Sequence, residues 1–429
     1  MGCRVNQFDG GALGKSFQDE GYRAVDGAAS ADLIVLNTCT VTDASDREAY
    51  RMLRRFRSEA PGATIAVTGC LAQRDPEGVA ARDEADLVLG TGAKRNATSI
   101  VRAFEEGSRL GKIHWDDLST TDEVFFIPTD GLAFHTRAFL KIQEGCERSC
   151  SYCIIPTTRG RERSVPAVRV AEEVRRLHAR GFPEFVLTGV HLGGYGRDLD
   201  PPGSFIALLR QLEEMSEDFR LRISSLEPME LDEEMIAFFA QSAKVVPHLH
   251  LPMQSGSTRV LTDMNRGYTA ERYAELVELA SSKIKRVQIG TDVIVGFPTE
   301  GAREFEETAR LIENSPLAYL HVFPFSPRSG TPAAAFPLLP AEQVRERASR
   351  LRTVSAHRRR AFAESFVGTK LPVLTMTRSV DGSINGQTDN YIPVRVSSDL
   401  TPGVPLKRYV SLRMISFDGN HLMGAPFPA

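Results

Sequence analysis

The stretch GCERSCSYCIIP, residues 145–156, sets Cys146, Cys150 and Cys153 within eight positions. Two cysteines suffice for a redox pair and four ligands close a tetrahedral metal site, so a trio stops one short of closure. Thiolates serve zinc and iron–sulfur clusters alike. Structural zinc usually takes two C-x2-C-like pairs, whereas the spacing here is x3 then x2, with no fourth cysteine or histidine in reach. Three thiolates on a cubane of four irons leave one iron open, and an open coordination position makes a metal centre reactive. A zinc knuckle or buried free cysteines are the structural alternatives.

Cys3, Cys39 and Cys70 lie far apart in the chain but share a context: MGC, NTC and TGC. ADLIVLNTC (31–39) and ATIAVTGC (63–70) are short apolar runs rich in β-branched residues, each giving way to a polar helical stretch. That is the pattern of a parallel sheet with crossover helices. Ligands collect at the carboxyl ends of such strands, so these thiols are expected to converge at one sheet edge. Three scattered cysteines can equally be buried apolar residues.

The elements that must carry these residues follow from periodicity. ADLVLGTG (85–92) is a further strand candidate, and residues 1–110 read as an N-terminal parallel α/β domain. Residues 111–135, with the single tryptophan Trp115, have no clear period and read as a linker. From 136 to 340 six strand-like segments alternate with helical ones: AFLKIQEGC, EFVLTGVHLG, RLRISSLEP, VPHLHLPMQSG, RVQIGTDVIVGFP and AYLHVFPFSPRSG. Six β/α units fit a partial (β/α)6 barrel whose chemistry sits at its C-terminal rim. An Arg-rich helical connection follows at 341–365. Short strands with turn signals at DGS, GQTDN and FDGN make 366–429 a small antiparallel β-barrel.

A chain of 429 residues allows about three such domains. No apolar stretch approaches the roughly 20 residues of a membrane helix, and no apolar h-region precedes Cys3, so a cytoplasmic location with reduced thiols is expected. The net charge of −3 does not argue for nucleic acid globally. Local clusters do: Arg51, Arg54, Arg55 and Arg57 on one helix, and the run from Arg345 through Arg360, each of which reads as a phosphate-holding stripe or as a solvated helix face.

Cys-x3-Cys-x2-Cys with Tyr152 before the last cysteine resembles the signature of the radical S-adenosylmethionine (SAM) superfamily. MGCRVNQFD, NTCTVTDASD and TGCLAQR, ahead of that motif and a terminal β-barrel, resemble its methylthiotransferase family over essentially the whole chain. NTCTVT, KIQEGC, VLTGVHLGGYG and HVFPFSPRSGTPAA look most like the branch acting on N6-threonylcarbamoyladenosine beside the anticodon of tRNA, at position 37. Sister branches act on isopentenyladenosine or on a ribosomal-protein aspartate. A reading from another class is a non-catalytic RNA-binding iron–sulfur protein.

The resemblance implies two [4Fe-4S] clusters and two SAM molecules. Cys146, Cys150 and Cys153 would hold the cluster that makes a 5′-deoxyadenosyl radical, and Cys3, Cys39 and Cys70 the cluster that carries sulfur. Tyr152, Thr188, Gly189, Glu227, Gln254, Ser255 and Gly296 are the implied SAM-side residues; strand-end turn chemistry is their alternative role, and Asp292 is undecided between the two. The tail resembles a TRAM domain, with Arg395, Lys407, Arg408 and Arg413 as phosphate contacts. Implied partners are the tRNA anticodon loop and a reduced flavodoxin- or ferredoxin-type electron donor. The family's first strand precedes its first cysteine, but here only Met1 and Gly2 do, so a weakened hold on Cys3 is expected.

Overall fold

The computed structural model describes residues 2–128 and 136–427. Its first part is a four-stranded parallel sheet in sequential order: Leu33–Thr38, Thr64–Gly69, Leu87–Leu89 and Ile113–His114. Side chains alternate across it, as strand geometry dictates. Ile65, Val67 and Val88 pack with Leu36, Leu53 and Val79 on one face, while Ala66, Leu87 and Leu89 pack with Phe8, Leu13 and Val101 on the other. Thr42 starts the crossover helix Asp43–Glu59 by accepting a hydrogen bond from the Ser45 N–H, a cap typically worth ~1 kcal/mol.

Two features differ from the sequence reading. The segment read as a linker supplies the fourth strand, and its Leu118 and Phe125 are buried, because each apolar side chain has sheet or helix surface to cover; its last residues, 129–135, lie outside the described residues. Cys3 stands at the start of the helix Arg4–Asp19, not at a strand end. Apolar positions Val5, Phe8, Ala12, Leu13 and Phe17 give that helix its buried stripe, a 3.6-residue period that a strand could not use.

Six parallel strands form the centre: Arg137–Lys141, Glu184–Thr188, Arg220–Ile223, His248–His250, Gln288–Val295 and Tyr319–Pro324. They pair in two groups of three, linked by a parallel bridge between Leu221 and Val245, and together make the partial (β/α)6 barrel. The tail is a closed five-stranded barrel whose pairings are antiparallel as expected except the one that seals it, a parallel pairing of Pro393–Val396 with Leu422–Ala425. It docks where the central strands begin. Tyr409 donates its hydroxyl to Glu184, the guanidinium of Arg286 pairs with both carboxylate oxygens of Asp389 at 3.0 and 2.9 Å, and Arg222 donates to the Asp389 carbonyl at 3.1 Å.

Two glycines let the chain turn where the cysteines sit. Gly145 has φ +78, and a Cβ there would meet the Arg161 carbonyl oxygen at 1.8 Å. Gly69 has φ +97, and its Cβ would lie 2.3 Å from the Thr38 carbonyl oxygen. Only glycine tolerates such contacts at positive φ. The second one lets the strand ends before Cys39 and Cys70 close up.

Candidate active site: two cysteine trios joined by a buried ion network

The loop after Gly145 is tied back by Cys146 N–H donating to the Gly160 carbonyl at 3.0 Å and Cys153 N–H to the Cys150 carbonyl at 3.1 Å. Burial pushes the Cys146 thiol up to about 11 and the Cys153 thiol up to about 12. Left to themselves these thiols are neutral at pH 7, so the thiolate form needs a positive partner. Arg266 reaches Cys150 Sγ at 3.4 Å, and its side chain, only 3% exposed, is ion-paired with Glu227. Beside the loop His191 bridges Glu162 through Nδ1 and Glu230 through Nε2. Burial alone would depress its pKa, but the two carboxylates raise it to about 9.

The second trio is assembled from three segments. Cys39 and Cys70 are buried at the ends of neighbouring strands, and Cys3 is exposed. A Cβ on Gly2 would lie 2.9 Å from the Cys39 Cβ, which puts the Cys3 segment against Cys39. Desolvation raises the Cys3 and Cys39 thiols, and Cys70 is among the neighbours that add to both shifts. The three thiols therefore share one electrostatic neighbourhood.

A five-residue helix, Ile155–Arg159, joins the trios. It starts two residues after Cys153, and the Nε of its last residue, Arg159, lies 3.1 Å from Cys70 Sγ. Arg159 also donates to Asp9 at 2.7 Å and Glu144 at 2.6 Å. Asp9 accepts from Lys94 at 2.7 Å and Lys141 at 2.5 Å, and all five side chains are at most 2% exposed. Lys94, Lys141 and Arg159 thus face two carboxylates. One positive charge is left over beside Cys70, the partner that a thiolate ligand set requires.

Among the described residues, neither trio brings its sulfurs within 4.8 Å of one another. Zn–S bonds of about 2.3 Å would hold sulfurs roughly 4 Å apart. Neither trio is drawn in as tightly as a single zinc ion would require, and all-thiolate sets that stop at three ligands suit iron–sulfur chemistry. The tighter set of Cys146, Glu162 and His191 spends its histidine on the two carboxylates.

The expected SAM-side residues divide. Tyr152 packs among Val260, Met264, Phe297 and Ala333. Thr188 ends the second barrel strand and Gly189 follows it, where the Gln143 side-chain oxygen Oε1 accepts from the N–H groups of Val190 and His191 at 2.9 and 2.8 Å. Glu227 faces the loop through Arg266. Gln254 has φ +65 and donates its N–H to the Asp292 carbonyl at 2.8 Å, so it is held at the rim by its backbone, while the Asp292 side chain pairs with His250 at 3.0 Å. Ser255 is fully buried and meets Thr308, and Gly296 donates its N–H to Glu300 with Val344 packed on it. Those last two engage neighbouring structure.

Sequence reading missed the buried ions and His191. A charged residue inside an apolar pattern was the available signal: Lys141 in AFLKI, and Asp9 directly after Phe8.

An incomplete six-stranded barrel with an open cysteine trio at its rim is the architecture of a radical SAM enzyme, and the family model described as the radical SAM superfamily matches residues 140–312. Residues 1–90 match a second model, described as uncharacterized protein family UPF0004. The chain is 36% identical over 396 residues to the threonylcarbamoyladenosine tRNA methylthiotransferase MtaB of Aquifex aeolicus, covering 92% of this chain and 95% of that one. It is 36% identical over 405 residues to the tRNA-2-methylthio-N(6)-dimethylallyladenosine synthase of Geobacter sulfurreducens, covering 93% and 90%. The chain belongs to the tRNA methylthiotransferase family of radical SAM enzymes. Among solved structures, the radical SAM methyltransferase TsrM of Kitasatospora setae matches with a TM-score of 0.57 at 15% identity, covering 76% of this chain and 73% of that one, a likeness of fold. Among the described residues no helix is long and apolar enough to cross a membrane.

Proposed function

We propose that this chain adds a methylthio group to C2 of N6-threonylcarbamoyladenosine at position 37 of tRNA, in the cytoplasm. One observation supports the reading: Arg159 touches Cys70 while standing six residues from Cys153, so a single five-residue helix links the two thiol sets. Cys146, Cys150 and Cys153 would hold one [4Fe-4S] cluster, and Cys3, Cys39 and Cys70 the other. When bound, these groups and SAM would supply one-electron reductive cleavage at one side of the chamber and sulfur at the other.

The chain's own residues do the positioning. The Arg266–Glu227 pair fixes a cation against Cys150, and Arg159 fixes one against Cys70. Tyr152, Thr188, Gly189, Glu227 and Gln254 are proposed to border SAM, with Ser255 and Gly296 holding the rim behind them. A base at this chamber must leave its stack, which a single-stranded anticodon loop permits at small cost. Of the tail's phosphate candidates, Arg395 is paired with Asp381, while Lys407, Arg408 and Arg413 are exposed. A reduced flavodoxin- or ferredoxin-type protein is the proposed electron donor.

The test is anaerobic reconstitution followed by iron and sulfide analysis, then incubation with SAM, reductant and tRNA and mass spectrometry of the nucleosides. Two clusters per chain and the 2-methylthio form of threonylcarbamoyladenosine are expected. A single cluster, or no methylthio product from an RNA that carries the threonylcarbamoyl group, overturns the reading.

A further inference from the structure

The residue after Cys3 points into the barrel. Arg4 donates through one terminal nitrogen to the Ser224 carbonyl at 3.5 Å, just past the carboxyl end of the third barrel strand, and through the other to the Tyr391 hydroxyl at 3.4 Å. Both contacts are long, at the edge of hydrogen-bond range. Among the described residues no carboxylate is in ion-pair range of Arg4. The carboxylates nearby are committed: Glu184 is held by Arg222 at 2.8 and 3.0 Å, and Asp292 by His250 at 3.0 Å. Arg4, Arg137 and Arg222 together hold the Tyr391 hydroxyl below its usual pKa although burial pushes it up. Arg222 also keeps a buried terminal nitrogen with no partner. Arg4 therefore carries a charge felt by Asp292 and Tyr391, while its own nitrogens rest on two neutral acceptors.

We propose that Arg4 is the specificity residue that pairs with the free carboxylate of the threonylcarbamoyl group. This rests on the substrate reading above. The chemistry fits in three respects. A guanidinium takes a carboxylate in a two-pronged pair that a point charge does not match. An apolar dimethylallyl group in the same place would strip water from Arg4 and return nothing, so the residue that accepts one substrate rejects the other. Being next in the chain to Cys3, Arg4 fixes the modified end of the base relative to the second cysteine trio, and therefore its C2 atom as well.

The test uses reconstituted full-length enzyme and an anticodon stem-loop RNA carrying either threonylcarbamoyladenosine or its threonine amide, in which the carboxylate is neutral. With the unaltered enzyme, the amide is expected to raise KM and the dissociation constant of the RNA roughly ten- to a hundred-fold, the range of a hydrogen-bonded charge pair. Arg4→Gln should show the same loss on the native RNA and no further loss on the amide, and Arg4→Lys should fall between. Iron content and SAM cleavage measured without RNA serve as the folding and cluster controls for both variants. Equal binding and turnover of native and amide RNA by the unaltered enzyme overturns the assignment of Arg4 while leaving the substrate reading intact, and this arm needs no variant that could lose its cluster. Losses from substitution and amide that simply multiply also overturn it. If the native RNA yields no methylthio product while 5′-deoxyadenosine forms, the substrate reading and the role of Arg4 fall together.

Discussion

Cys146, Cys150 and Cys153 are brought together by eight consecutive residues, whereas Cys3, Cys39 and Cys70 are brought together by a sheet, a helix start and a buried ion network. The first set depends mainly on nearby backbone: a glycine at φ +78, the short turn from Cys150 to Cys153 and the tie of Cys146 to Gly160. The second depends on everything that docks the N-terminal sheet on the barrel. A contiguous ligand set survives tertiary disturbance that a dispersed one does not, because loop closure over a few residues costs little entropy and closure over tens of residues costs more.

Removing one ligand from each set tests this difference most severely. Cys150→Ala should abolish 5′-deoxyadenosine formation and with it all product. Cys39→Ala should abolish methylthio transfer while SAM cleavage continues, and each variant should keep half the iron. Iron analysis and product chromatography read both, and loss of SAM cleavage in Cys39→Ala would mean that the sets are not separable.

A smaller effect is expected one layer further out. Asp9→Asn leaves Lys94, Lys141 and Arg159 buried against Glu144 alone. Uncompensated buried charge costs about 3–5 kcal/mol. Thermal melting should drop, and the iron lost should come from the Cys3, Cys39 and Cys70 set, with SAM cleavage retained. An unchanged melt would show that the network relaxes into water.

The mildest perturbation is acid. Burial pushes the Asp9 carboxyl up, but Lys141, Lys94 and Arg159 outweigh it and hold its pKa well below the usual value. A depressed carboxylate stabilises the fold fully above its unfolded pKa of about 4, and that stability fades as pH falls from there toward the lower folded value. In the metal-free chain, hydrogen-exchange protection of the helix Arg4–Asp19 should therefore hold at neutral pH and decline below about pH 4, before that of the barrel strands. Asp9→Asn should remove the pH dependence.

The same contrast decides what could be read from the sequence. Spacing made the contiguous trio legible, and β-branched runs placed Cys39 and Cys70 at strand ends. Cys3 was misplaced because a helix starting at Arg4 left no strand to end. The short apolar stretches around Trp115 looked aperiodic because a two-residue strand has no period to show. Asp9, Lys94, Lys141, Glu144 and Arg159 come from segments up to 150 residues apart, and only the folded chain reveals that they meet. The arginine runs were half legible. Arg57 is spent on carbonyls and Asp86, and Arg347, Arg350 and Arg360 on glutamates, whereas Arg359 stands over the Tyr319 ring and, with Arg352 and Arg360, lines a cavity of about 540 Å³ beside Tyr319 and Tyr391.

Trp115 is the chain's single indole, and its Nε1–H donates to the Gln73 carbonyl at 2.9 Å, three residues beyond Cys70. Iron–sulfur chromophores absorb across the near ultraviolet and quench nearby emission by energy transfer. The molecule consequently carries its own fluorescent gauge: brightness should dim as sulfide and iron load beside Cys70 and recover on chelation, without any label being attached.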